Sequence, residues 1–150
     1  MTHEVILSDD AVLLADAGRL ELDLSNSPPA GIALGLVLLR DELVSAVTLR
    51  TLGARWTLRL RLAPEERAQI SGQHHGKQRL ELWVGRIELG AWLAFFLRYY
   101  RDGVAEVDHM DAFGIWADGS PLNVTLKVAL GARPVLEDEA RSRLGINQRR

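Results

Sequence analysis

Residues 55–62 read Arg-Trp-Thr-Leu-Arg-Leu-Arg-Leu, a strict alternation that puts Trp56, Leu58, Leu60 and Leu62 on one side of the chain and Arg55, Thr57, Arg59 and Arg61 on the other. A period of two fits a strand with one face buried and one face wet. The same period returns at residues 19–24, 78–84 and 122–130. A chain with several such segments has to find an apolar layer that covers one face of a sheet.

The remaining segments fill in around these strands. Residues 4–7 and 11–15 are short apolar runs on either side of Ser8-Asp9-Asp10, and Asp16-Ala17-Gly18 is a tight turn into 19–24, so the opening reads as a β-meander. Pro28-Pro29 breaks it. Residues 31–39 are continuously apolar, and Gly31, Gly35, Ile32 and Val37 favour a strand that turns at Arg40-Asp41-Glu42 into 43–50. A single helix over 30–52 is the competing reading, and its two glycines cost it about 2 kcal/mol relative to alanine. Residues 63–77 read as a long polar connection with His74-His75 near its tip, and 78–84 as the antiparallel neighbour of 55–62. Gly85 is a candidate bulge.

From Leu89 the period changes: Leu89, Trp92, Leu93, Phe96, Leu97 and Tyr100 recur at helical spacing, with Gly103 as the stop. Two strands are expected after it, at 104–109 and 122–130, the latter joined to 113–116 by a hairpin at Asp118-Gly119. A short helix at 137–144 is also allowed. No internal repeat is visible in the residues. The expected fold is α+β: a single antiparallel, meander-like sheet of about seven or eight strands, with strong curvature allowed, and one main helix at about 89–102 on one face. Residues 1–132 form the domain, and 133–150 are a polar tail.

Composition narrows the function classes. The chain has no cysteine, which excludes disulfides and cysteine-based zinc sites. Eighteen basic and twenty acidic residues leave a net charge of −2, so no global field draws in nucleic acid or an anionic membrane. The longest uncharged run, 28–39, falls short of the roughly 20 residues needed to span a bilayer. The opening residues lack the basic region of a secretory signal, so a cytoplasmic protein is expected.

No Gly-rich phosphate loop, Gly-x-Ser-x-Gly elbow or His-Glu-x-x-His motif is present, so the balance is against an enzyme. The weak catalytic or metal candidates are His109 and Asp111, which a strand would place on one face, in the run Asp108-His109-Met110-Asp111. No metal or other cofactor is assigned. Arg55, Arg59 and Arg61 form a basic strip suited to an acidic protein surface. On a helical wheel the apolar arc of the helix is roughly 200° wide where about 100° suffices for one sheet, with Phe95 and Tyr99 at its edge. These two join the arginines as expected partner-binding residues. Trp56, Trp83, Trp92, Phe96 and Tyr100 are the expected lining of a pocket between sheet and helix.

The leading expectation is a non-enzymatic protein-binding module. In composition it has the general character of small bacterial interaction proteins, immunity proteins that neutralise toxins among them; that likeness covers no motif. Its partner would be a protein, a toxin for instance, or a second copy of the chain. The alternative is a small-molecule-binding protein, or a small cyclase or hydrolase, using the aromatic pocket.

Overall fold

The computed structural model describes residues 1–150 apart from 17, 26, 66–68, 77, 103–108 and 129–150. Its elements are β1 (Thr2–Leu7), β2 (Val12–Asp16), β3 (Arg19–Asp23), α1 (Pro29–Arg40), β4 (Ala46–Thr51), β5 (Thr57–Leu62), β6 (Ile70–Gly76), β7 (Arg79–Val84), α2 (Arg86–Asp102), β8 (His109–Trp116) and β9 (Pro121–Lys127). The nine strands form one sheet in the order β1-β4-β5-β7-β6-β8-β9-β3-β2. The expected strand at 104–109 falls outside the described residues except for His109, and so do the allowed helix at 137–144 and the tail.

The fold is α+β on a single sheet, but the sheet is mixed and carries two helices. Strands joined by short turns pair antiparallel: β2 with β3, β4 with β5, β6 with β7, β8 with β9. Strands remote in sequence pair parallel: β1 with β4, β5 with β7, β6 with β8, β3 with β9. Two expectations are thereby corrected. The opening is no meander, because β1 leaves β2 and joins β4; and β7 lies parallel, not antiparallel, to β5.

The order of elements repeats even though the residues do not. Hairpin, helix and hairpin occur as β2-β3-α1-β4-β5 and again as β6-β7-α2-β8-β9. The two units interleave, so that the hairpin following each helix lies beside the hairpin preceding the other.

Residues 29–40 are a helix, which overturns the hairpin expected over 31–50. Pro28 is its N-cap and Pro29 its first residue, a position where a missing N–H costs nothing. The buried residues Ile32, Ala33, Leu36 and Leu39 mark one helical face. Gly35 is needed there for close approach: a Cβ would stand 3.1 Å from Val47 Cγ1 and 3.3 Å from Val5 Cγ2. The helix ends at Asp41, whose N–H donates to the Val37 carbonyl at 2.9 Å, and Glu42 turns the chain with φ of 59°.

The long polar connection also needs correction, since residues 70–76 form β6. Its inward positions are Ile70, Gly72 and His74, and Gly72 breaks the apolar alternation because the Trp116 ring occupies the space of its side chain, 3.0 Å from where a Cβ would be. Gly85 is no bulge: its carbonyl accepts the Leu89 N–H at 2.9 Å in the first turn of α2.

Both helices cover the same face. Leu20, Leu22, Leu49, Leu58, Leu60, Leu82, Val124 and Leu126 from the sheet meet Ile32 and Leu36 of α1 and Trp92 and Phe96 of α2 around one interior. Among the described residues, no helix covers the other face of the sheet, to which the alternate residues of each strand turn.

Candidate functional site on the open sheet face

The open face is built by the residues that alternate with the core. Register places Arg59 of β5 beside Glu81 of β7, and Glu81 beside Gln73 of β6; one step along, Arg61 neighbours Trp83 and Thr57 neighbours Arg79. Thr57, Arg59, Arg61, His75, Arg79 and Glu81 surround a cleft of about 290 Å³.

Glu81 organises this group. It is only 8% exposed, and it accepts hydrogen bonds from Arg61 Nε and, at 2.6 Å, from His75 Nε2. Burial alone pushes the Glu81 carboxyl up, but the hydrogen bonds from Arg61 and His75 outweigh it and hold it below the ordinary carboxylate range. Arg59 and Arg79 are exposed, and neither forms an ion pair among the described residues.

A second neighbourhood on the same face is apolar. Ser71 of β6 pairs with Trp83 on one side and Ile115 on the other, and Ile115 pairs with Pro121. Ile115 is exposed, Trp83 half-buried, and Phe113, two residues along β8, is 70% exposed. β8 is an interior strand, flanked by β6 and β9, so this phenylalanine is not a frayed edge. Isolated exposed apolar residues are ordinary; here an aromatic and two apolar neighbours share a sheet face that no described helix covers.

The residues expected to bind a partner separate into two groups. Arg59 and Arg61 lie on the open face together. Arg55 precedes β5 in the turn from β4, exposed, with its backbone N–H donated to Thr51 Oγ1 at 3.1 Å, and does not line the cleft. Phe95 and Tyr99 are 4% and 1% exposed, which corrects their expected place at an open interface. The physical reason is that α2 packs against α1 as well as the sheet, and two covering surfaces require a wide apolar arc. That arc runs from Phe95 through Tyr99, Trp92, Phe96 and Leu89 to Leu93, leaving Leu97 and Tyr100 exposed.

The expected aromatic pocket does not assemble. Trp92 and Phe96 are in the core, Trp56 is buried with its indole N–H donated to the Ala11 carbonyl at 3.1 Å, Trp83 is on the opposite face, and Tyr100 is 54% exposed. The enclosed space between sheet and helices is about 20 Å³, far below the several hundred a ligand pocket needs.

His109 and Asp111 do share the open face, with Nε2 and Oδ2 3.6 Å apart, both exposed, and Asp111 Oδ1 accepts from Thr125 Oγ1 at 2.6 Å. Asp108 lies outside the described residues. Among the described residues no three His, Asp or Glu side chains come together as metal ligands. The adjacent histidines diverge: His74 stacks on Trp116 with ring centroids 4.4 Å apart, at a second open cleft with Asp16 and Asp118, while His75 joins Glu81.

Sequence reasoning passed over the grouping of Arg79 with His75, and passed over Phe113 and Ile115. The last two had a signal, since Phe113 and Ile115 alternate with Ala112, Gly114 and Trp116 and so put large apolar groups on both faces of one strand. The first two had none, because their grouping depends on the parallel β5–β7 register. No described helix is long and apolar enough to cross a membrane. Comparison with known proteins finds no matching family model, no matching curated protein and no matching solved structure.

Proposed function

We propose that this chain is a non-enzymatic protein-binding module that receives an acidic partner protein on the open face of its sheet. The observation that carries the reading is Phe113, an aromatic side chain 70% exposed on an interior strand, beside Ile115 and on the same sheet face as Arg59, Arg61 and Arg79. Aromatic and arginine side chains are the residues that dominate binding energy at interfaces, with an apolar centre and a polar rim. Arg59 and Arg79, exposed and without an ion pair among the described residues, select for negative charge across the interface. An inhibitor that neutralises its partner by covering it, in the manner of small bacterial immunity proteins acting in the cytoplasm, is the specific form of this reading.

Incorporation of a photo-crosslinking phenylalanine analogue at position 113, with position 87 on α2 as the exposed control, identifies what sits on the open face. The reading expects an adduct with a different protein at 113 only, and a purified complex whose Kd weakens roughly thirtyfold in Phe113→Ser, the size of a hot-spot loss. Adducts with a second copy alone, or a complex indifferent to Phe113→Ser and to Arg59→Glu, would overturn it.

A further inference from the structure

We infer that the cleft between β5 and β7 is a site for a phosphate-type dianion, a role separate from the apolar contact at Phe113. Three guanidinium groups, Arg59, Arg61 and Arg79, converge on it with a single carboxylate, Glu81, so the site carries two surplus positive charges when His75 is neutral. A phosphate monoester carries about −1.5 to −2 at neutral pH, which matches that surplus; a single carboxylate leaves half of it uncompensated.

Glu81 acts as the positioning group. It takes the Nε–H of Arg61, and the terminal amino groups of the same guanidinium remain as donors for a ligand. His75 Nε2 is held at 2.6 Å from the other carboxylate oxygen. The Arg61 guanidinium is thus fixed in place by a nearly buried anion before any ligand arrives, which removes part of the ordering cost of binding. Arg59 is the Cα partner of Glu81, yet it makes no ion pair with it, because Arg61 and His75 already engage both carboxylate oxygens. Arg79 lies one register step away, on the same face. Planar guanidinium groups meet phosphoryl oxygens two at a time, and a cleft of about 290 Å³ has room for the phosphoryl group and part of the molecule that carries it.

The dianion has two sources, a free phosphate ester or a phosphorylated side chain of a partner protein, and the chemistry of recognition is the same. The site therefore stands whether or not the protein-binding reading does, and it is tested on the purified chain alone. The side-chain Nε–H signals of the arginines are followed by NMR during titration with inorganic phosphate, phenyl phosphate, a phosphoserine peptide, acetate and chloride at constant ionic strength.

The expected result is saturable shifts of the Arg59, Arg61 and Arg79 signals with phosphate, at least tenfold weaker saturation with acetate, and a further loss of about tenfold in Arg59→Gln with Arg79→Gln. A tighter phosphopeptide than phenyl phosphate assigns the dianion to a protein, and the reverse assigns it to a free ester. Both arginines are exposed, so the double variant is expected to keep its circular dichroism spectrum; Arg59→Gln alone gives the same readout if it does not. Shifts that rise linearly with every anion, or saturation by acetate at the phosphate concentration, would overturn the site.

Discussion

On the covered face, Leu58, Leu60 and Leu82 stand against Trp92, Phe96, Ile32 and Leu36. On the open face, residues one step along the same strands are Arg59, which is exposed, Arg61, which is half-buried, and Glu81, nearly buried against Arg61 and His75. The two faces share backbone, register and twist, and differ only in which alternate residue each strand turns outward. Packing fixes the first set within narrow limits of volume, whereas nothing in the fold requires that Phe113 be aromatic or that Arg59 be basic. Residues that the fold does not explain are the ones left for function.

The most forceful way to sharpen this contrast is at the centre of the covered face. Phe96 is buried among strand leucines and stands edge-on to Phe95, with ring centroids 5.2 Å apart. Phe96→Ala is expected to cost about 3–5 kcal/mol in urea unfolding, the usual result of truncating a buried aromatic. A loss under about 1 kcal/mol would mean that the interior repacks freely and that the two faces are less different than they look.

Gly114 tests the seam between the two hairpins of the second unit, β6–β7 and β8–β9. It lies on β8 opposite Ile70 of β6, and a Cβ there would overlap the Ile70 carbonyl, which is backbone and cannot rotate away. Gly114→Ala is expected to destabilise by about 2–3 kcal/mol, at the upper end of overpacking effects. Hydrogen exchange should then rise first at β6 and β8, since their parallel pairing is confined to Ile70, Ser71 and Gly72. Uniform exchange across the sheet would show that the two hairpins do not separate at this seam.

How much of this was legible in the sequence follows from the range of each interaction. The strands at 57–62, 79–84 and 121–127 announce themselves by period two, and α2 by period 3.6 with a buried arc that can be counted along the chain. The hairpin at Asp118-Gly119 was legible because Gly119 adopts φ of 88°, which glycine supplies at no steric cost. α1 was misread because its glycines count against a helix locally, and the reason for Gly35 lies in Val5 and Val47, one strand before it and one after. The parallel pairings were invisible for the same reason: they join segments that no turn connects. The candidate site inherits that limit. Arg59 and Arg61 could be placed on a wet face from their own strand, but Glu81, His75 and Arg79 come to them only through β7 and the non-local β5–β7 register.

Glu81 probes the boundary between the faces, since it sits on the open side and is nearly buried. Glu81→Gln is expected to cost about 1–2 kcal/mol, because it weakens charge-assisted hydrogen bonds whose partners Arg61 and His75 are themselves partly solvated. The folded-state pKa of this carboxyl lies below its unfolded value, so the stability it contributes is present above the unfolded pKa, about 4.3, and is lost as pH falls through the folded value. The difference between the parent chain and Glu81→Gln should therefore be full at pH 7 and shrink in acid. A difference that stays constant down to pH 3 would assign it to packing and not to charge.

The smallest effect is expected where the contrast is sharpest. Phe113 and Phe96 are chemically the same residue, one 70% and the other 2% exposed. On the open face the aromatic ring touches water on most of its surface, so Phe113→Ser forfeits little burial; what remains is its strand propensity and its contact with Asn123 opposite on β9. The change is expected to stay within about 0.5 kcal/mol, an order of magnitude below Phe96→Ala, as surface substitutions do. Chemical denaturation of the two variants side by side measures the ratio directly. If Phe113→Ser destabilised by 2 kcal/mol or more while the chain remained monomeric, Phe113 would be covered in solution by another part of the same chain, and the open face would lose the residue that most marks it as a binding surface.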